Sequence, residues 1–218
     1  MDLILEHGVS RSRVMRNTYW LLALSLIPTI IGAWSGLAIG FAAVGWIAFI
    51  ALLVVAFGLI FAIKATQDSG WGVVWLMVFT GVMGFMLSPQ LSFVLGRPDG
   101  ASLVMMAAGS TAGIFGAMAF LSTVIKQDIS GWGKFLFVGL LMLIVAMIAN
   151  IFLALPALAI TISVIAVGLF SAFLLYDLKQ IVDGGETNYI SATLSIYLDL
   201  INIFSHLLSL LGITSSDD

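Results

Sequence analysis

The chain has 218 residues, 61% hydrophobic and 9% charged, with a formal net charge of −3 and a mean hydropathy of +1.18. A soluble domain carries about 25% charged residues, so this composition excludes one and identifies an integral membrane protein with almost nothing left over for a soluble domain. Its apolar runs are continuous rather than alternating, which excludes a transmembrane barrel and leaves the helix as the only way to satisfy a backbone in lipid.

Charges punctuate the chain. A polar segment, residues 1–17, precedes the first apolar run; it lacks a small-residue cleavage pattern, so no cleavable signal is expected. No charged residue lies between Arg16 and Lys64, room for two helices of about 20 residues, with the break placed in AWSGLAIG, Ala33 to Gly40. Spans three and four are predicted from Trp71 to Leu95 and from Ala101 to Ile125. The uncharged stretch between Lys134 and Asp177, divided near Pro156, holds spans five (Trp132 to Leu155) and six (Ala157 to Ile181). The seventh runs from Tyr189 to Gly212. The expected fold is an all-α membrane protein of seven transmembrane helices, or six if one segment is re-entrant. The membrane domain covers 18–214 and a short tail, SSDD at 215–218, follows.

Lys and Arg placement orients the spans. With the N-terminus inside, the inner side holds Arg11, Arg13, Arg16, Lys64, Lys126, Lys134 and Lys179, and the outer side holds Arg97 alone. The expectation is a cytoplasmic N-terminus and an outer C-terminal tail. QDSGWG at Gln67 recurs as QDISGWG at Gln127, both in inner loops. Either an Asp or Ser caps each following helix with a Trp at headgroup level, or a helix pair was duplicated.

The last span carries the chemistry. Ser191, Ser195, Asp199, Asn202, His206 and Ser209 recur three and four apart and share one face, opposite Ile, Leu and Phe. A polar stripe on a membrane helix faces the protein interior or a water-filled cavity, so the last helix is expected at the centre. The preceding span ends in LLYDLKQIVDGGE, with Asp177 near its inner end. At 1.5 Å per residue, Asp177 lies roughly 7 Å deep and Asp199 roughly 15 Å, a gap that tilt and side-chain reach can close. Two carboxylates meeting in a poorly solvated place share a proton and titrate as a unit, which would make them a proton sensor. A hard cation such as Ca²⁺ prefers the same oxygen ligands. In the structural alternative, Asn202 or Ser195 holds a protonated Asp199, while Asp177 pairs with Lys179 or Lys64. Asn150, read as mid-span in the fifth helix, is either interhelical glue or an extra ligand.

Two further features concern packing. Ala108, Ala112 and Gly116, with Gly109 and Gly113 beside them, give the fourth span small residues at close-packing intervals. Pro89, flanked by Ser88 and Gln90, is placed to kink the third. Cysteine is absent, which removes disulfides and cysteine metal sites. There is no HExxH, GxSxG or phosphate-binding loop. The Pro156-Ala157-Leu158 triplet precedes both aspartates, the reverse of its order in intramembrane aspartyl proteases. The expectation is therefore a protein that is not an enzyme, has no cofactor and binds no nucleic acid.

LLYDLKQI, then GGETNYI, then SIYLDLINIFSHLLSLLG closely resemble the C-terminal signature of the Bax inhibitor (transmembrane Bax-inhibitor-motif) family, with GGETNYI most similar to its bacterial YccA-like branch. The resemblance implies seven helices with the last one central and a bacterial inner-membrane location. It also implies that Asp177 and Asp199 match the di-aspartyl pH sensor of calcium-leak members, in which a basic residue ending the second helix is the latch partner. Lys64 stands there, a lysine where arginine is expected. The reading is a pH-sensitive cation (Ca²⁺) leak gated by Asp177 and Asp199, with Lys64, Asn202, His206, Ser195 and Asn150 as latch or supporting residues. The alternative is a modulator of the membrane AAA protease FtsH, reached through the polar segment before Arg16.

Overall fold

The computed structural model describes residues 2–41 and 45–214; the expected outer tail at 215–218 lies outside them. The described chain is helical, as α1 (Asp2–Ile39), α2 (Trp46–Thr66), α3 (Gly70–Leu95), α4 (Gly100–Val124), α5 (Trp132–Leu153), α6 (Pro156–Asp183) and α7 (Tyr189–Thr214), with no strand among the described residues. All seven are long and apolar enough to cross a membrane. The shortest such span, Ile47–Thr66, has 20 residues and rises about 30 Å, the hydrocarbon thickness of a bilayer.

The first break falls later than the sequence placed it. AWSGLAI is helical, and α1 ends at Ile39, just before Gly40, which turns the chain at φ 71° with its N–H on the Leu37 carbonyl; Gly45, at φ 86°, precedes α2. Only glycine adopts that backbone region without strain. Ser35 stays in the helix with its hydroxyl on the Gly32 carbonyl, and Gly36 is needed there: a methyl on it would run into Ser88 and Phe85 of α3. Helix α1 begins at Asp2, so the polar residues that precede the first apolar run are continuous with it.

The chain divides into two compact units, Met1–Gly96 with Gly184–Leu194, and Arg97–Asp183 with Ser195–Asp218. In the first, α1 and α2 both pack on α3; in the second, α4 and α5 both pack on α6. Helices α1 to α6 each turn large apolar side chains outward, Trp34, Phe61, Phe93, Phe120, Phe152 and Ile165 among them. Helix α7 differs. Its first turns belong to the first unit and the remainder to the second, and no residue from 189 to 213 is exposed. Its polar stripe therefore holds no exposed residue.

Close helix approach is built into α1 and α3, not into α4. A methyl at Gly32 would strike the Gly81 carbonyl, and one at Gly84 the Thr29 backbone. The small stripe of α4 packs against nothing: Gly109, Gly113 and Gly116 have no heavy atom within 4 Å of a built Cβ. Pro89 sits inside the continuous α3. Its missing N–H would orphan the Phe85 carbonyl, and the Ser88 hydroxyl donates to that carbonyl at 2.7 Å instead. Gly84→Ala is therefore expected to destabilise the protein by at least roughly 2 kcal/mol. Gly109→Ala and Gly113→Ala should be neutral or slightly stabilising, because alanine favours a helix by up to about 1 kcal/mol over glycine. Thermal melts in detergent compare them, and equal stability of Gly84→Ala and wild type would refute the close-packing account.

Candidate functional site

Helix α7 begins at a clasp. Asn188 precedes it and accepts the N–H groups of Ile190 (2.9 Å) and Ser191 (3.1 Å) through its side-chain oxygen, an N-cap that satisfies two otherwise orphaned donors. Its amide nitrogen reaches the α2–α3 loop, donating to the Gln67 carbonyl at 3.0 Å and Asp68 Oδ1 at 2.9 Å. Asn188 N–H in turn donates to Glu186 at 2.8 Å. Lys64, in the last turn of α2, donates from Nζ to Ser191 Oγ at 3.2 Å. The residue expected as a latch thus engages the first turn of α7.

Eleven residues further along α7 is Asp199, 5% exposed. It adjoins Asp177 of α6, and the two side chains are hydrogen-bonded to each other. The depth gap read from the sequence is therefore closed. Since an ionised carboxylate only accepts, a hydrogen bond between two carboxyls needs one of them to carry a proton. Asp199 Oδ2 is buried without a hydrogen-bond partner. Lys179 does not serve the pair. It binds Asp183 one turn on, at 2.7 Å, and its position two residues from Asp177 turns it to another side of α6.

The supporting residues divide. Asn202 donates its amide to the Leu198 carbonyl of its own helix at 2.7 Å, and Ser195 is half-buried one turn before Asp199. His206 Nδ1 lies 3.4 Å from Ser163 Oγ of α6, its ring stacked on Phe170 with centroids 6.3 Å apart. Asn150 is in the last turn of α5 rather than mid-span. Its side-chain oxygen accepts the Leu155 N–H at 3.2 Å, holding a turn in which Ala154 is left-handed at φ 50°. It closes the end of the helix there.

The repeated loops do different work. In the first, Ser69 makes no side-chain cap but donates to the Thr66 carbonyl, and Asp68 receives Asn188. In the second, Asp128 accepts the Ser130 N–H at 2.8 Å. Sequence reading missed two joints. Asn188 was legible, as an Asn directly before an apolar helix. Arg97 was not: its guanidinium donates to the Gly212 carbonyl at 3.0 Å, placing a cation at the negative end of α7.

Fold and site together define a seven-helix integral membrane protein whose last two helices are joined by an intramembrane carboxyl pair. Comparison with known sequences agrees. The profile of the family described as "Inhibitor of apoptosis-promoting Bax1" matches residues 11–216, and the chain belongs to this Bax inhibitor family. It is 39% identical over 216 residues to a membrane protein of Vibrio cholerae, covering 98% of this chain and 95% of that one. It is 37% identical over 209 residues to the "Modulator of FtsH protease YccA" of Escherichia coli K12, covering 96% and 94%, and equally so to the "Inner membrane protein YccA" of E. coli O6:H1.

Outside the spans, the backbone and hydroxyl of Ser130 hold the Asp128 carboxyl below its usual pKa, with a smaller contribution from the charge of Lys179. A depressed carboxylate stabilises its loop above the ordinary value, about 3.9, and loses that contribution as pH falls through the lower folded value. A carboxyl-carbon NMR titration is expected to place the Asp128 midpoint below that of free aspartate, and Ser130→Ala should move it part of the way back. A wild-type midpoint at or above the free value contradicts this.

Proposed function

We propose that this chain is a non-enzymatic, pH-sensitive cation leak, with Ca²⁺ the ion its chemistry fits best, gated by Asp177 and Asp199. The reading is carried by one observation: two carboxyls hydrogen-bonded to each other across α6 and α7, one of them buried with an oxygen left without a partner. Protonated, such a pair ties the two helices together. Without its proton it becomes two like charges and a set of oxygen ligands suited to a hard cation. Two charges about 4 Å apart repel by roughly 4 kcal/mol at an effective dielectric constant of 20, a change of roughly a thousandfold in a two-state equilibrium. The bias is therefore large enough to work a gate. Cation affinity rises with pH on this account.

The orientation proposed is N-terminus in and C-terminus out, from the basic residues of the inner loops, in a bacterial inner membrane, as the name of the second E. coli relative states for that protein. Ca²⁺ uptake into dye-loaded proteoliposomes between about pH 5 and pH 8 is expected to depend on pH in wild type. In Asp177→Asn/Asp199→Asn it should be lost or independent of pH. Equal, equally pH-dependent flux in both proteins, or none above empty liposomes, rejects the gate.

A second reading rests on the E. coli relative named a modulator of FtsH protease. A membrane AAA protease is engaged here through the polar start of α1, while the carboxyl pair sets the conformation that the protease meets. Deleting residues Met1 to Arg13 is then expected to abolish the effect on degradation of other membrane substrates by co-reconstituted E. coli FtsH. Unchanged degradation rejects this mode of engagement.

A further inference from the structure

Helix α6 presents two rows of side chains to two different neighbours, and every residue involved lies in the second compact unit. Ser163, Phe170 and Asp177 stand seven apart and meet α7, the first two at His206 and the third at Asp199. Leu169 and Tyr176 are also seven apart, and each comes one residue before a member of the first row. They meet α5 instead, each against a glycine. A Cβ built on Gly133 would stand 2.9 Å from the Tyr176 hydroxyl and 3.1 Å from the ring carbon that carries it. One built on Gly139 would stand 3.1 Å from Leu169 Cδ1. The two glycines lie three residues either side of Leu136, which with Leu143 makes up the buried residues of α5. Gly133 closes the QDISGWG motif, whose last residue the carboxyl pair leaves without a use.

Adjacent residues of a helix point about 100° apart, so the seat of Tyr176 on α5 fixes the direction in which Asp177 points. A carboxyl about 5–6 Å from the helix axis moves about 1 Å for a turn of about 10°. Useful O–H···O distances span only about 0.5 Å, which leaves α6 a tolerance of about 5°. A methyl on Gly133 would ask about 0.5 Å of the Tyr176 hydroxyl to reach ordinary contact, and a branched side chain would ask for more. We propose that Tyr176 is a positioning residue for the carboxyl pair: seated in the notch that Gly133 leaves on α5, it sets the rotation of α6 that turns Asp177 toward Asp199. Its part in gating rests on the carboxyl-pair reading above.

Gly133→Val fills the notch, and Gly133→Val/Tyr176→Leu removes the hydroxyl and far ring that the valine strikes. The full chain in nanodiscs is read by the infrared carboxyl band of the shared proton, identified by its absence from Asp177→Asn/Asp199→Asn. The same proteins in liposomes are read by Ca²⁺ flux. In Gly133→Val the band is expected to move to the frequency of a carboxyl without its hydrogen bond. Flux should change about tenfold, the weight of one overpacked contact. Gly133→Ala should shift both in the same direction by less, and it carries the test if the valine variant does not fold. Both readouts should return toward wild type in Gly133→Val/Tyr176→Leu, a rescue that general destabilisation would not give. An unaltered band in Gly133→Ala and Gly133→Val overturns the proposal, and so does an altered band that Tyr176→Leu leaves unrescued. No such band in wild type removes the pair and the proposal together. A wild-type band with flux no higher than in empty liposomes removes the leak reading alone, and the band in the variants still decides whether Tyr176 positions the pair.

Discussion

A carboxyl in the middle of a membrane span costs a few kcal/mol even on lenient insertion scales, and this constraint shapes α7. Asp199 is tolerated because no residue of the helix from 189 to 213 is exposed, and because a second carboxyl meets it from α6. The large apolar side chains that are exposed lie instead on the other six helices, from Trp34 on α1 to Ile165 on α6.

Polar atoms elsewhere in the spans are settled locally. Thr29 donates to Ser25 O, Thr111 to Ala107 O, Ser122 to Ala119 O and Ser171 to Val167 O, each within its own helix. A hydroxyl used in this way is satisfied without specifying a neighbour. Longer-range polar contacts are therefore informative, and several converge on α7: Asn188 and Lys64 at its start, Asp177 and Ser163 along it, and Arg97 at its end.

Most of the fold was legible because membrane spans are written in long, strong signals: charge-free runs bounded by Lys, Asp and Gly. Helices α3 to α7 begin within a residue of their expected starts. The first break was misplaced because Ser35 and Gly36 look like turn residues, yet Gly36 serves to let α3 approach; only the partner helix reveals that purpose. The same ambiguity misassigned α4, where identical small residues lie open. Spacing reports which residues share a face and is silent on what that face meets. The carboxyl pair was legible through the stripe and the short α6–α7 connection. Asn150 was placed mid-span, whereas it stands in the last turn of a helix that the left-handed Ala154 ends at Leu153. Arg97 was read only as a charge to be counted, since no local pattern ties residue 97 to residue 212.

Helix α7 is held at both ends and carries its titratable groups between them. The start is fixed by five side-chain hydrogen bonds around Asn188 and Ser191, the finish by the Arg97 guanidinium on the Gly212 carbonyl. Each end is thus specified by a polar side chain from outside the helix, which supplies partners for backbone groups that a helix terminus leaves unsatisfied. The carboxyl pair lies between these ends, where the backbone ladder of α7 is complete and only side chains remain to be satisfied.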